Sequence, residues 1–117
     1  MAGDFLFAQA SWHLANLDNV KVVKLLSRVI MDLAEGEIKQ NLNRFDSAQS
    51  FSKYINKSYC KTASLIANSC KAAGVLSGIN DENLTSLYDF GKSIGLAFQV
   101  VDDILDFTGN DLSLIHI

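Results

Sequence analysis

Proline is absent from all 117 residues. Because proline ends helices and punctuates loops, its absence over this length argues against a turn-rich architecture and favours a few long helices joined by short turns. Cysteine is scarce. Cys60 and Cys70 are the two present, and ten residues apart on one helix they would lie about 15 Å from each other, too far for a disulfide. They are expected to behave as small buried hydrophobes in a reducing compartment. No stretch approaches the roughly 18 consecutive apolar residues of a membrane span. The opening MAGDFLFAQASW lacks the charged region and cleavage site of a signal peptide, so a soluble protein with no targeting signal in this chain is expected. Basic charge is not in excess either: ten Lys and Arg stand against 13 Asp and Glu, a net charge of −3. That leaves no basic stripe to attract nucleic acid. Histidine occurs only as His13 and His116, and there is no glycine-rich phosphate loop, nucleophile elbow or Cys–His pair, which excludes triad chemistry.

What is present is apolar material, 49% of the chain, in a length suited to one domain. The pattern predicts an all-α fold of about four long helices. Gly3 to Asn16 carries aromatics on more than one side and is expected to be buried on most faces. Asp18 and Asn19 supply a turn and an N-cap. Val20, Val23, Leu26, Ile30, Leu33, Ile38 and Leu42 keep helical spacing to about Asn43, with Asp32 among the charges assigned to the wetter sides. NRFDSAQS is a short polar loop, and Ser50 is a plausible cap for a third helix. In that helix Phe51, Tyr54, Ile55, Ser58, Tyr59, Thr62, Leu65, Ile66, Ser69 and Ala73 recur at 3–4 spacing to about Leu76. Gly74 and Gly78 fit its frayed end, and Asp81 is expected to cap a fourth helix through Leu105. Period-two alternation is missing, so strands are not expected.

The segment GLAFQVVDDILDF places Asp102, Asp103 and Asp106 in apolar surroundings. With about 100° per residue, Gln99 and the three aspartates share an arc of about 100°, and apolar side chains fill about 200° of the remainder. A face that wide exceeds what a surface helix needs, so the strip is expected to look into a cleft. Gly91 and Gly95 fit this by letting another backbone or a ligand come close. Unpaired carboxylates in a cleft raise one another's pKa and call for a cation. Oxygen donors without His or Cys suit Mg²⁺ or Ca²⁺, and Mg²⁺ completes its shell with water and phosphate oxygens. On chemistry alone two readings stand, a Mg²⁺–phosphate site and a solvated acidic face. KTASL adds Lys61, a point charge for a phosphate, and Thr62, a hydrogen-bond donor, although an ordinary helix surface also accommodates the pair.

Taken together these segments resemble the trans-isoprenyl diphosphate synthases, the polyprenyl synthetase family. GLAFQVVDDILDF matches the family's second aspartate-rich motif, DDxxD, preceded by its Gln. YCKTASL resembles its Lys–Thr segment, AGDFLFAQA its Gly-Asp helix, and EGEIKQ a further segment. The wording is nearest the long-chain solanesyl (nonaprenyl) branch of plastids, red algae and cyanobacteria. The resemblance implies a piece of the isoprenoid synthase helical bundle. It implies Mg²⁺-dependent condensation of isopentenyl diphosphate with an allylic diphosphate, in isoprenoid or quinone side-chain biosynthesis. Asp102, Asp103 and Asp106 would be the metal ligands, Asp102 the most direct. Lys61, Thr62 and Gln99 would contact the allylic diphosphate, with Lys61 and Asp102 as the catalytic residues. The implied location is the plastid, or the cytoplasm if cyanobacterial, and the implied parent assembly a homodimer or heterodimer.

Family members are much longer, and their first aspartate-rich motif lies upstream of the Gly-Asp helix. Residues 1–109 are therefore expected to be a central part of a synthase domain, inactive alone. Residues 110–117 are expected to be a non-family tail. From Leu112, LSLIHI resembles the conceptual translation of a transposase sequencing adapter, and a read-through artefact is expected there. A non-catalytic partner subunit of a heteromeric prenyltransferase is the competing role, although such a subunit has no need for an intact DDILD. The other alternative is a metal-free all-α interaction module.

Overall fold

The computed structural model of the chain describes residues 1–42 and 50–109. Most of the loop expected before Ser50, and the whole expected tail, lie outside those residues. Every element among the described residues is helical: α1 (Ala2–Ala15), α2 (Val20–Leu42), α3 (Phe51–Ser58), α4 (Ser64–Leu76) and α5 (Asp81–Thr108). A π-helical turn, Tyr59–Ala63, joins α3 to α4 without a break, so the expected four helices are present and the third carries an irregularity. No described helix is long and apolar enough to cross a membrane.

The helix ends follow from their residues. Asn19 Oδ1 accepts the Val22 N–H at 3.2 Å and Ser50 Oγ accepts that of Lys53 at 3.2 Å, each satisfying a donor that the first turn leaves unpaired. At α5 the cap is Asn80, not the expected Asp81. Asn80 is extended, with φ −67° and ψ 162°, and its side chain accepts the Asn83 N–H at 2.9 Å. Asp81 and Glu82 fall in the first turn, where negative charge opposes the helix dipole. After α4, Gly78 takes φ +74° and closes the helix: Ile79 N–H donates to Gly74 O and Gly78 N–H to Val75 O, each at 3.1 Å. Gly74 is packed rather than frayed, because a Cβ there would lie 2.7 Å from side-chain carbons of both Leu84 and Leu87.

Glycines set how closely the helices cross. A Cβ on Gly91 would stand 2.8 Å from the Ile66 carbonyl oxygen, and one on Gly95 would stand 2.6 Å from Ala63 Cα. Both therefore admit another backbone. From the other side, a Cβ on Gly36 of α2 would meet Cys60 Cβ at 2.9 Å. The π turn is thus held between α2 and α5, and the core around it is built from small residues, Cys60, Ala63, Ala67 and Ala72, with Val22, Val29 and Leu84.

Three further expectations are corrected. Asp32 is 3% exposed rather than on a wet side; Arg28 Nε sits 3.2 Å from one of its oxygens and Ser64 Oγ donates to the other at 2.6 Å, which satisfies the carboxylate in place. Secondly, α1 has no buried residue, and Phe5 and Trp12 are exposed, because α1 packs chiefly against α2 alone among the described elements. Thirdly, the apolar arc of α5 is open: Phe98, Val101, Ile104, Leu105 and Phe107 are exposed. The packing of α5 goes instead through its glycines and the Gln99 side.

Candidate functional site

The site begins with the spacing on α5. Residues 99, 102, 103 and 106 stack on one side of a helix, and one carboxylate oxygen from each of Asp102, Asp103 and Asp106 lies within 4.8 Å of the others. Exposure differs within the strip: Gln99 is 6% exposed, Asp103 is intermediate, and Asp102 and Asp106 are open. The strip does not lie wholly inside a cleft. Its inner end is covered by the helix running from α3 into α4, and its outer carboxylates face outward.

At the inner end the contacts are directional. Thr62 Oγ1 donates to Gln99 Oε1 at 2.8 Å, and Gln99 Nε2 donates to Asp103 Oδ1 at 2.9 Å. The Tyr54 hydroxyl donates to Asp103 Oδ2. Both oxygens of Asp103 are therefore engaged. The Tyr54 hydrogen bond is the main cause holding the Asp103 carboxyl below the usual carboxylate range. The Gln99 bond and the nearby Lys61 and Lys57 charges act the same way, and partial burial opposes them. The same hydrogen bond is the first cause raising the Tyr54 phenol above its ordinary value, with burial second.

The structure thus brings Thr62, Gln99, Asp102, Asp103 and Asp106 to one place. Lys61, exposed on the π turn, is close enough to act on Asp103 through its charge. Tyr54 and Lys57 were missed by sequence reasoning. Their signal was available in part: Lys57 is one turn and Tyr54 two turns before Lys61, a face that tracks toward it. The π turn obscured that face. It inserts one residue into the helix and rotates the register beyond Tyr59. Ala63, Ser64, Ala67 and Asn68 are buried after it, whereas Leu65 and Ser69, which even spacing assigns to the core, are exposed.

An open groove of about 410 Å³ lies elsewhere on α3 and α5, lined by Phe51, Ser52, Ile55, Asn56, Tyr59 and Lys92, and it includes none of the strip. Beside it the hydroxyls of Tyr59 and Tyr88 are hydrogen-bonded, and the Lys92 ammonium lies 5.6 Å from the Tyr59 ring centre.

An all-oxygen donor set, without nitrogen or sulfur, fits a hard divalent cation that keeps some water or phosphate ligands. A cation there would also relieve the repulsion among the three carboxylates.

Over nearly its whole length the chain is similar to known proteins. A family model described as polyprenyl synthetase matches residues 1–114. A prenyl transferase of Synechocystis sp. is 67% identical over 108 residues, covering 92% of this chain and 33% of that protein. The chloroplastic solanesyl diphosphate synthase 1 of Arabidopsis thaliana is 55% identical, covering 92% of this chain and 27% of its own length. A solved polyprenyl synthase from Caulobacter crescentus, described as complexed with calcium and isoprenyl diphosphate, superposes with a TM-score of 0.83 at 36% identity, over 91% of this chain and 36% of that one. The chain therefore spans about a third of the length of such relatives.

Proposed function

The chain belongs to the polyprenyl synthetase family, and from that premise we propose that it is the part of a long-chain prenyl diphosphate synthase that holds the second metal motif and the allylic diphosphate. The reaction is the addition of isopentenyl diphosphate to an allylic diphosphate: a carbon–carbon bond forms, the allylic carbon–oxygen bond breaks to release diphosphate, and a proton is lost to restore the double bond. One observation carries the reading: the three carboxylates of α5 converge beside Gln99, Thr62 and the Lys61 charge. Asp102, Asp103 and Asp106 hold Mg²⁺. Bound there, the metal supplies positive charge that stabilises the negative charge developing on the departing diphosphate. Lys61 adds a fixed positive charge on the same side. The Gln99 amide donates one N–H to Asp103 and retains a second for a phosphate oxygen. Thr62, whose one proton goes to Gln99 in this state, fixes which way that amide points.

Several features of the relatives support the wider reading. The Caulobacter protein is described with a divalent cation and an isoprenyl diphosphate, and the sequence relatives come from a cyanobacterium and a chloroplast. The plastid, or the cytoplasm of a cyanobacterium, is the proposed location, and a homodimer or heterodimer the proposed assembly. The intact carboxylate triad speaks against a purely non-catalytic subunit.

The test is thermal stability with Mg²⁺ and inorganic diphosphate added together, since a ligand that binds only the folded state raises stability by mass action. Stabilisation of the wild type that Asp102→Ala abolishes is expected; a wild type indifferent to both additions refutes the site. Turnover with allylic and isopentenyl diphosphates is expected from a synthase of full family length. None is expected from the 117-residue chain alone, which contains one aspartate-rich motif.

A further inference from the structure

We infer that Tyr54 is a positioning residue for the metal motif, acting through Asp103; the inference rests on the reading of the site just given. Among the three carboxylates, Asp103 is the only one for which hydrogen bonds to both oxygens are observed: Tyr54 to Oδ2, and Gln99 Nε2 to Oδ1 at 2.9 Å. No side-chain hydrogen bond is observed for Asp102 or Asp106 among the described residues, and both are exposed. A carboxylate bonded at each oxygen is confined to one rotamer, whereas an exposed one samples several. Asp103 is therefore set in place before a metal arrives.

The order of the chain of hydrogen bonds matters. Thr62 donates to Gln99, Gln99 donates to Asp103, and Tyr54 donates to Asp103 from the opposite end. Asp103 is the common acceptor, so it anchors the Gln99 amide while Tyr54 anchors Asp103. Tyr54 stands on α3, Thr62 on the π turn and Gln99 on α5. One hydroxyl thus ties the strip on α5 to the helix carrying Lys61. Each carboxylate oxygen has a further lone pair, so engagement by Tyr54 leaves Asp103 able to face a cation. Groups that orient a ligating carboxylate in this way change metal affinity by about 10–100-fold when lost.

The experiment uses the full chain and reads the Mg²⁺ concentration giving half of the maximal thermal stabilisation at fixed inorganic diphosphate. Tyr54→Phe removes the hydroxyl and keeps the ring. The midpoint is expected to rise about tenfold or more, with metal-free stability little changed. Tyr59→Phe is the control, because Tyr59 lies on the same helix and also bonds a hydroxyl on α5, that of Tyr88; its midpoint should equal the wild type's. In the Asp103→Asn background, Tyr54→Phe should shift the midpoint no further. An unchanged midpoint in Tyr54→Phe, an equal rise in Tyr59→Phe, or a full additional rise in the double variant overturns the inference. Metal-free destabilisation as large as the ligand effect also overturns it, by assigning Tyr54 to the fold. A wild type with no response to Mg²⁺ and diphosphate overturns the reading of the site together with this inference, whereas the other results leave that reading standing.

Discussion

Gly95→Ala adds one methyl group where α5 crosses the π turn. The new Cβ would stand 2.6 Å from Ala63 Cα and 3.0 Å from Ala63 Cβ. Neither atom belongs to a flexible side chain, so the contact is relieved only by moving α5 away from the π turn. Overpacking of this kind costs about 1–3 kcal/mol, and a backbone contact places it near the upper figure. Helix propensity works the other way, since alanine exceeds glycine by about 1 kcal/mol in a helix interior. The clash wins, leaving a net loss of about 2 kcal/mol, or about 8 °C in Tm for a domain of this size. Urea denaturation of the full chain measures it, with Gly3→Ala as the reference. Gly3 has nothing within 4 Å of its would-be Cβ, so that change should leave stability equal or slightly raised. The displacement should also loosen the 2.8 Å bond from Thr62 to Gln99, because Ala63 follows Thr62 directly and Gly95 lies one turn before Gln99. A Gly95→Ala protein as stable as the wild type would show that the crossing is not set by the glycine.

Ser64→Ala leaves buried Asp32 with Arg28 as its remaining observed partner; a loss of about 1–3 kcal/mol by denaturant titration is expected, and no loss would show that the pair is incidental. Burial, followed by the hydrogen bond shared with Tyr59, holds the Tyr88 phenol far above its ordinary value. A raised folded-state value means stability is fully present below the unfolded value of about 10 and is lost as pH rises through the folded one. Stability measured between pH 8 and pH 11.5 should therefore fall above about pH 10, and Tyr88→Phe should flatten that fall. Cys60 is 5% exposed, and its thiol is pushed up first by burial and then by Asp32, so a thiol reagent near pH 8 should modify half-buried Cys70 first. Equal rates would refute the burial of Cys60.

Some of the molecule could be read directly from neighbouring residues. Asn19 and Ser50 were legible as caps because a cap is a contact over three residues. The gathering of Asp102, Asp103 and Asp106 was legible because it needs only the pitch of one helix. Asp32 was not legible: its partner Ser64 is 32 residues away, and a carboxylate on a helix is assigned to water unless that partner is known. The exposed arc of α5 and the bare α1 show the converse error, in which apolar residues imply burial but cannot say what covers them. The π turn defeated periodicity itself, since a single extra residue redirects every side chain after it.

By itself the sequence determined the helical class, the approximate helix bounds, the Asn19 and Ser50 caps, the wheel position of the acidic strip and the family motifs, because each depends on interactions within one helix or on residue order. Only the tertiary structure decided that Gly91 and Gly95 face backbone, that the π turn presents Lys61 and Thr62 beside α5, and that Tyr54 reaches Asp103 across 49 residues. The physical reason is range. Helix pitch and capping act over about four residues, whereas the partner of a buried or hydrogen-bonded group is chosen by which helices are brought into contact.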